Sequence, residues 1–252
     1  YMYKSSVVSG SSKPALATGF LISDTDKNGT SGRYLVTNAH CVRYAKEVSR
    51  PPYYTLRGEW ASYGKILAVF EDDETTYNTE IVAYGSYTTT IESQNSTIKY
   101  TLNAENDQPD LAILRITGRQ PSNTEHVSLK LASNDYTIKR GTPVALIGNP
   151  EGIGDTNSIT SGTVSNAGIR VPSWGAGTFV MTDAAVNSGN SGGPMLDRRG
   201  IVLGVVESKL VSDDIDNMGF ALSASSLYSF IKWAEKNNVL GTAIQINCTF
   251  VS

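Results

Sequence analysis

Cysteine and histidine are nearly absent: Cys41, Cys248, His40 and His126 are all that 252 residues contain. Two cysteines cannot build a disulfide framework, and no spacing among these four residues matches a four-ligand zinc site. Positive charge is also scarce, with 21 Lys and Arg against 24 Asp and Glu for a net charge of −3. The electrostatic footprint of a nucleic-acid binder is therefore missing. No apolar run approaches the ~18–20 residues that a membrane span requires. The first residues, Tyr-Met-Tyr-Lys-Ser-Ser, show no signal-peptide core, which leaves open whether one never existed or was removed. The Glu71–Glu74 acidic run reads as a solvated turn, and nothing in the sequence calls for a metal or an organic cofactor.

What the sequence does have is a rhythm of short apolar or alternating runs: 16–22, 33–37, 65–70, 80–84, 98–102, 111–116, 143–148, 159–164, 178–182, 201–206 and 219–222. Such spacing predicts an all-β chain with antiparallel connections. Residues 223–238 alone read as a helix, with Leu227, Phe230, Ile231 and Ala234 on one face and a serine as N-cap. Asp24–Gly32, Arg43–Ser62 and Ser86–Ser96 read as polar connections, the last as a hairpin tip, and residues 117–128 as a linker between halves.

One stretch carries chemistry. Residues 187–195 hold three glycines, two asparagines and a proline around Ser191, which lies between Gly189-Asn190 and Gly192-Gly193-Pro194. Glycines supply positive-φ positions and break helix or strand, so this is a loop. A serine hydroxyl needs a base to become a nucleophile, and the oxyanion it generates needs fixed donors. The turn Gly189-Asn190-Ser191 offers these donors through the N–H groups of Gly189 and Ser191. His40 ends the apolar run Leu35–Ala39 and would be held rigidly, whereas His126 lies in the polar run Ser-Asn-Thr-Glu-His and reads as solvated. Asp110 opens the apolar strand Leu111–Ile116 and can orient the imidazole.

The segments Thr-Asn-Ala-His-Cys, Asp-Leu-Ala-Ile-Leu and Gly-Asn-Ser-Gly-Gly-Pro, in that order, resemble the catalytic signatures of trypsin-like serine proteases. Residues 17–23, 145–152, 160–165, 182–187 and 218–222 narrow the resemblance to the HtrA/Deg type. That resemblance implies two antiparallel six-stranded β-barrels with a C-terminal helix: residues 1–120 carrying His40 and Asp110, 121–224 carrying Ser191, and 225–252 forming the helix and tail. It implies a His40–Asp110–Ser191 triad, an oxyanion hole at Gly189, Asn190 and Ser191, and a substrate site formed by Ala185, Val186, Gly204, Val205, Val206 and Phe220. Gly204–Glu207 would be the edge on which an extended peptide pairs. Ala185 stands where a trypsin carries its pocket carboxylate, so cleavage after small or medium aliphatic residues is expected. Asn190 replaces the aspartate that pairs with a freed N-terminus in zymogen-type relatives.

The expected partner is a peptide or unfolded protein, in an extracytoplasmic setting, secreted or periplasmic, with a cytoplasmic one still open. Monomer and HtrA-like trimer both remain open, and the PDZ domain usual in HtrA proteins has no counterpart in the sequence. Cys41 is expected to be a buried thiol, with pairing to Cys248 as the alternative. An inactive binding or chaperone-like module of the same fold is the rival reading; it would be marked by a lost triad member, and none is lost.

Overall fold

The computed structural model describes residues 2–6, 15–25, 31–50, 55–71, 73–92, 99–122, 124–149, 157–207, 218–241, 244 and 246–252. The first half contains β1 (Met2–Ser6), β2 (Ala15–Thr18), β3 (Phe20–Thr25), β4 (Ser31–Thr37), β5 (Arg43–Arg50), β6 (Thr55–Ser62), β7 (Lys65–Phe70), β8 (Asp73–Tyr84), β9 (Thr89–Glu92), β10 (Lys99–Leu102) and β11 (Ala112–Thr117). The second contains β12 (Leu131–Ala132), β13 (Pro143–Gly148), β14 (Ser158–Ile169), β15 (Phe179–Thr182), β16 (Pro194–Leu196), β17 (Val202–Val206), β18 (Gly219–Ser223), α1 (Ala224–Asn237) and β19 (Phe250–Val251).

The first sheet runs β2-β1-β7-β8-β11-β4-β3, seven strands where six were expected. Its two outer strands, β2 and β3, are one extended segment interrupted only at Gly19, so the chain itself joins the sheet's ends. In the second sheet the order is β16-β13-β14-β15-β18-β17-β12-β19, and β16 also pairs with β17. That extra pairing closes six strands into a barrel and leaves them no open edge. Periodicity explains the layering: β13 alternates half-buried and buried residues, as a strand with one face on the core should, whereas β17 is buried on both faces.

The main core draws on both halves. Phe20, Ile22, Val36 and Ile113 from the first sheet join Phe179, Val205, Phe220 and Leu222 from the second, with Leu227, Phe230 and Ile231 from α1. Each such side chain contributes about 1.5–3 kcal/mol when fully buried. The helix forms where the 3.6-residue pattern placed it. Ser223 caps it by accepting from the Ser226 N–H at 3.2 Å, and Asn238 ends it in the left-handed conformation at φ 46°.

Three expectations are corrected. Arg43–Ser62 is not an irregular connection: β5 and β6 pair from Arg43–Ser62 to Arg50–Thr55. The loop expected at Asp24–Gly32 is shorter, because β3 runs through Thr25 and β4 starts at Ser31, with 26–30 outside the described residues. His126 is not solvated; it is 7 % exposed and its ring stacks on Phe70 at 4.2 Å. The cause is Arg33, itself 1 % exposed, whose guanidinium donates to the carbonyls of Pro121, Ser122 and His126. A buried cation whose terminal nitrogens donate to main-chain carbonyls draws Pro121, Ser122 and His126 inward. At Ser86–Ser96 a hairpin is present, β9 pairing with β10, with 93–98 outside the described residues. Cys41 and Cys248 form no disulfide with each other, and Cys41 is buried.

Arg33→Met removes this charge but orphans the carbonyls it holds. It should cost about 3 kcal/mol or more, read as a fall in Tm; an unchanged Tm would show that the linker is held by other contacts.

Candidate active site

Strand register brings the first two candidate residues together. β11 pairs antiparallel with β4, with Ala112 opposite Thr37, so Asp110 lies beside the 3-10 turn Ala39–Cys41 that carries His40. Asp110 holds that turn with both oxygens: Oδ1 accepts from the His40 backbone N–H at 2.9 Å, and Oδ2 lies 2.8 Å from His40 Nδ1. Asn38 Nδ2 donates to the Asp110 carbonyl at 2.9 Å. A carboxylate bound to Nδ1 fixes the tautomer that leaves Nε2 free to accept a proton. Burial alone would lower the His40 pKa, but Cys41, Asp110 and Glu207, together with the Asp110 hydrogen bond, outweigh it and hold the pKa well above the usual histidine value. Burial, then Asp110, raises the Tyr87 pKa; its ring stands edge-on to His40 at 6.0 Å, and its hydroxyl donates to the Arg43 carbonyl.

The loop carrying Ser191 is tied to the first half by Thr18, a fully buried residue. Its N–H donates to the Ser191 carbonyl at 3.1 Å, its hydroxyl donates to the Gly189 carbonyl at 2.7 Å, and the same hydroxyl accepts from the Asn149 N–H. The Cys41 sulfur, next in chain to His40, lies 3.9 Å from the Ser191 carbonyl. Gly189 and Gly192 adopt φ of 94° and 85°, which only glycine takes without strain. At Gly192 there is also no space, since a Cβ would lie 2.2 Å from both the Thr18 carbonyl and Thr37 Oγ1.

The remaining candidates divide. Asn190 spends its N–H on the Asn187 carbonyl at 3.0 Å, so its amide is committed to the turn, and of the expected oxyanion donors only Gly189 and Ser191 remain candidates. Gly204, Val205 and Val206 are not an open edge: they pair with β16 on one side and β18 on the other. Barrel closure uses up that edge. Val186 and Val206 share one cluster with Ala221, whereas Val205 and Phe220 lie in the main core, Phe220 against Trp174. Neighbouring strand residues face opposite ways, which separates Val205 from Val206 and Phe220 from Ala221. Ala185 is exposed, and its carbonyl accepts from the Thr160 hydroxyl. Asp183 turns to the Thr163 N–H and hydroxyl.

Glu207 was expected only as the end of the edge on which an extended peptide pairs, not beside His40. It is 2 % exposed, and its Oε1 lies 3.7 Å from His40 Nδ1. A carboxylate that ends a fully apolar strand was the available signal. His40, Asp110 and Glu207 each present a possible cation-ligand atom within 4.8 Å of the others, but both Asp110 oxygens are already engaged by His40. Asp110 and Glu207 also line a cavity of about 100 Å³ with Tyr87, Trp174 and Leu222.

Gly192→Ala should destabilise the fold far more than Gly118→Ala, a site of similar positive φ with nothing within 4 Å. Strain alone costs on the order of 1–3 kcal/mol, and the clash at Gly192 adds to it. Equal Tm losses for the two would refute the crowding argument.

Sequence and fold comparisons agree with this fold. The family model for the trypsin-like peptidase domain matches residues 17–205. A probable periplasmic serine endoprotease DegP-like from Rhizobium meliloti is 31% identical over 164 residues, 64% of this chain and 31% of that protein. The serine protease Do-like HtrA of Bacillus subtilis is 34% identical over 124 residues, 47% of this chain and 26% of that protein. The chain thus spans about a third or less of the length of these relatives. Among solved structures, the HtrA-type protease AlgW with tripeptide superposes with a TM-score of 0.60 at 22% identity, covering 94% of this chain and 59% of that one. With a family match that takes in His40, Asp110 and Ser191, and the fold it predicts, the chain belongs to the trypsin-like peptidase domain family.

Proposed function

We propose that this chain is a serine endopeptidase acting through Ser191, His40 and Asp110. The observation that carries the reading is the double grip of Asp110 on His40, through the backbone N–H and Nδ1 together. Ser191 Oγ attacks the peptide carbonyl as His40 Nε2 takes its proton, and the N–H groups of Gly189 and Ser191 receive the oxyanion. Asp110 keeps the imidazolium oriented. His40 then passes the proton to the leaving amine, and water repeats the sequence on the acyl-enzyme. The names of the DegP-like relatives support a periplasmic or otherwise extracytoplasmic setting, and no described helix is long and apolar enough to cross a membrane. The unit boundaries near residues 120 and 224 are part of the same proposal.

The residue before the cut is proposed to be small or medium and aliphatic. Two features support this: Ala185 supplies no charge, and Val186 leans so closely on Gly219 that a Cβ there would lie 2.6 Å from Val186 Cγ2. A charged side chain without a partner in such a place costs several kcal/mol, while each fitting methylene gains about 0.8 kcal/mol.

Ser191→Ala should lower kcat by roughly 10⁶ with the fold intact, and His40→Ala should lose a comparable factor. Retained proteolysis by His40→Ala would refute the triad. In a peptide series varied only before the cut, kcat/KM for Val, Ala, Leu and Ile should exceed that for Lys, Arg and Glu by orders of magnitude, and Val186→Ala should move the preference to larger apolar residues. A dominant preference for Lys or Arg overturns the pocket assignment. Because His40 acts as a base only when neutral and its pKa is raised, the acid limb of kcat/KM should fall above pH 6.5; a limb below that value would contradict the electrostatics of the site.

A further inference from the structure

We propose that Glu207 is a positioning residue for the general base, a second carboxylate that shares the Nδ1 side of His40 with Asp110 and favours the imidazolium form. The proposal rests on the reading of His40 as the base.

Three observations carry it. First, the two carboxylates approach the same ring nitrogen, Asp110 Oδ2 at 2.8 Å and Glu207 Oε1 at 3.7 Å. The nearer one takes the Nδ1 hydrogen, and the farther one lies beyond hydrogen-bond length, so it acts on the ring as a charge. Second, both are buried, at 8 % and 2 % exposed, where solvent screens them weakly. Third, Glu207 is placed by main chain. It follows directly on β17, its N–H donates to the Phe220 carbonyl at 2.9 Å, and the Val206 carbonyl ahead of it accepts from Gly192 in the nucleophile loop. Both acids also line one cavity, with Tyr87, Trp174 and Leu222.

The chemistry follows from negative charge held near the ring. A carboxylate close to an imidazole favours its charged form. When the Ser191 proton arrives at Nε2, the ring becomes a cation facing both carboxylates as the tetrahedral intermediate forms. Glu207 takes up no proton in this step; the proton passes from Oγ to Nε2 and then to the leaving amine. The other titratable groups facing the ring are the Cys41 thiol and the Tyr63 and Tyr87 phenols, with Arg43 behind Tyr87. Arg43 is engaged by Glu105.

The test is the pH profile of Glu207→Gln, which keeps shape and removes charge. An opposite charge at this range is worth about one to three pH units to a titrating group. The acid limb of kcat/KM should therefore move down by at least one unit, while the alkaline plateau falls through kcat with KM little changed. Glu207→Asp, with its charge withdrawn by one methylene, should give a limb between wild type and the Gln variant. A limb that stays in place in Glu207→Gln, or that moves equally in Asp and Gln, overturns the proposal. Should Glu207→Gln fail to fold, Glu207→Asp decides: an unmoved limb overturns it. Failure of the protease reading is separable, because NMR titration of the His40 ring in a Ser191→Ala background needs no turnover. There too, Glu207→Gln should lower the His40 midpoint by at least one unit, and an unmoved midpoint refutes the coupling whatever the activity.

Discussion

The geometry of the site hangs on one buried threonine. Thr18 sits at the bend between β2 and β3, and it donates from its backbone to the Ser191 carbonyl and from its hydroxyl to the Gly189 carbonyl. Its own carbonyl accepts from Thr37, at the end of the strand that leads to His40. One residue thus fixes the Ser191 loop against the segment that carries His40, with main-chain groups rather than long side chains as the contacts. Such contacts have little rotamer freedom to lose, so the loop is held in advance of any substrate. The glycine at position 192 is the counterpart of this closeness: its missing Cβ is the space that Thr18 and Thr37 occupy.

Electrostatics are layered onto that geometry. Asp110 is bound to its histidine by two hydrogen bonds and to Asn38 by a third, so its place is set by direction as much as by charge. Glu207 lies farther off: the two acids differ in their distance from Nδ1 by about an ångström, which takes one of them outside hydrogen-bond range of that nitrogen.

Much of this was legible in the residues, and the failures have physical reasons. His40, Asp110 and Ser191 stood out because each sits where a strand gives way to a turn, and α1 because four apolar residues recur on one face. The β5–β6 hairpin was hidden because its residues are mixed in polarity and Pro51-Pro52 breaks the run between them. His126 looked solvated because its sequence neighbours are polar. What buries it is Arg33, more than 80 residues earlier, through contacts to carbonyls that no side-chain pattern reveals. The seventh strand of the first sheet is a matter of one bend at Gly19, which pattern reading merged into a single run.

The substrate side of the site shows how closure of a barrel divides labour among neighbouring residues. Pairing of β16 with β17 removes the edge that Gly204–Val206 had been expected to present, and in the same step holds β16, which follows the nucleophile loop, against β17. A strand buried on both faces must then alternate between two interiors. Val205 belongs to the core shared by both sheets and α1, and Val206 to the smaller cluster that Val186 joins. Substitution at Val205 therefore acts on the core shared by both halves, and substitution at Val206 acts on the cluster that Val186 joins, although the two valines are adjacent in the chain.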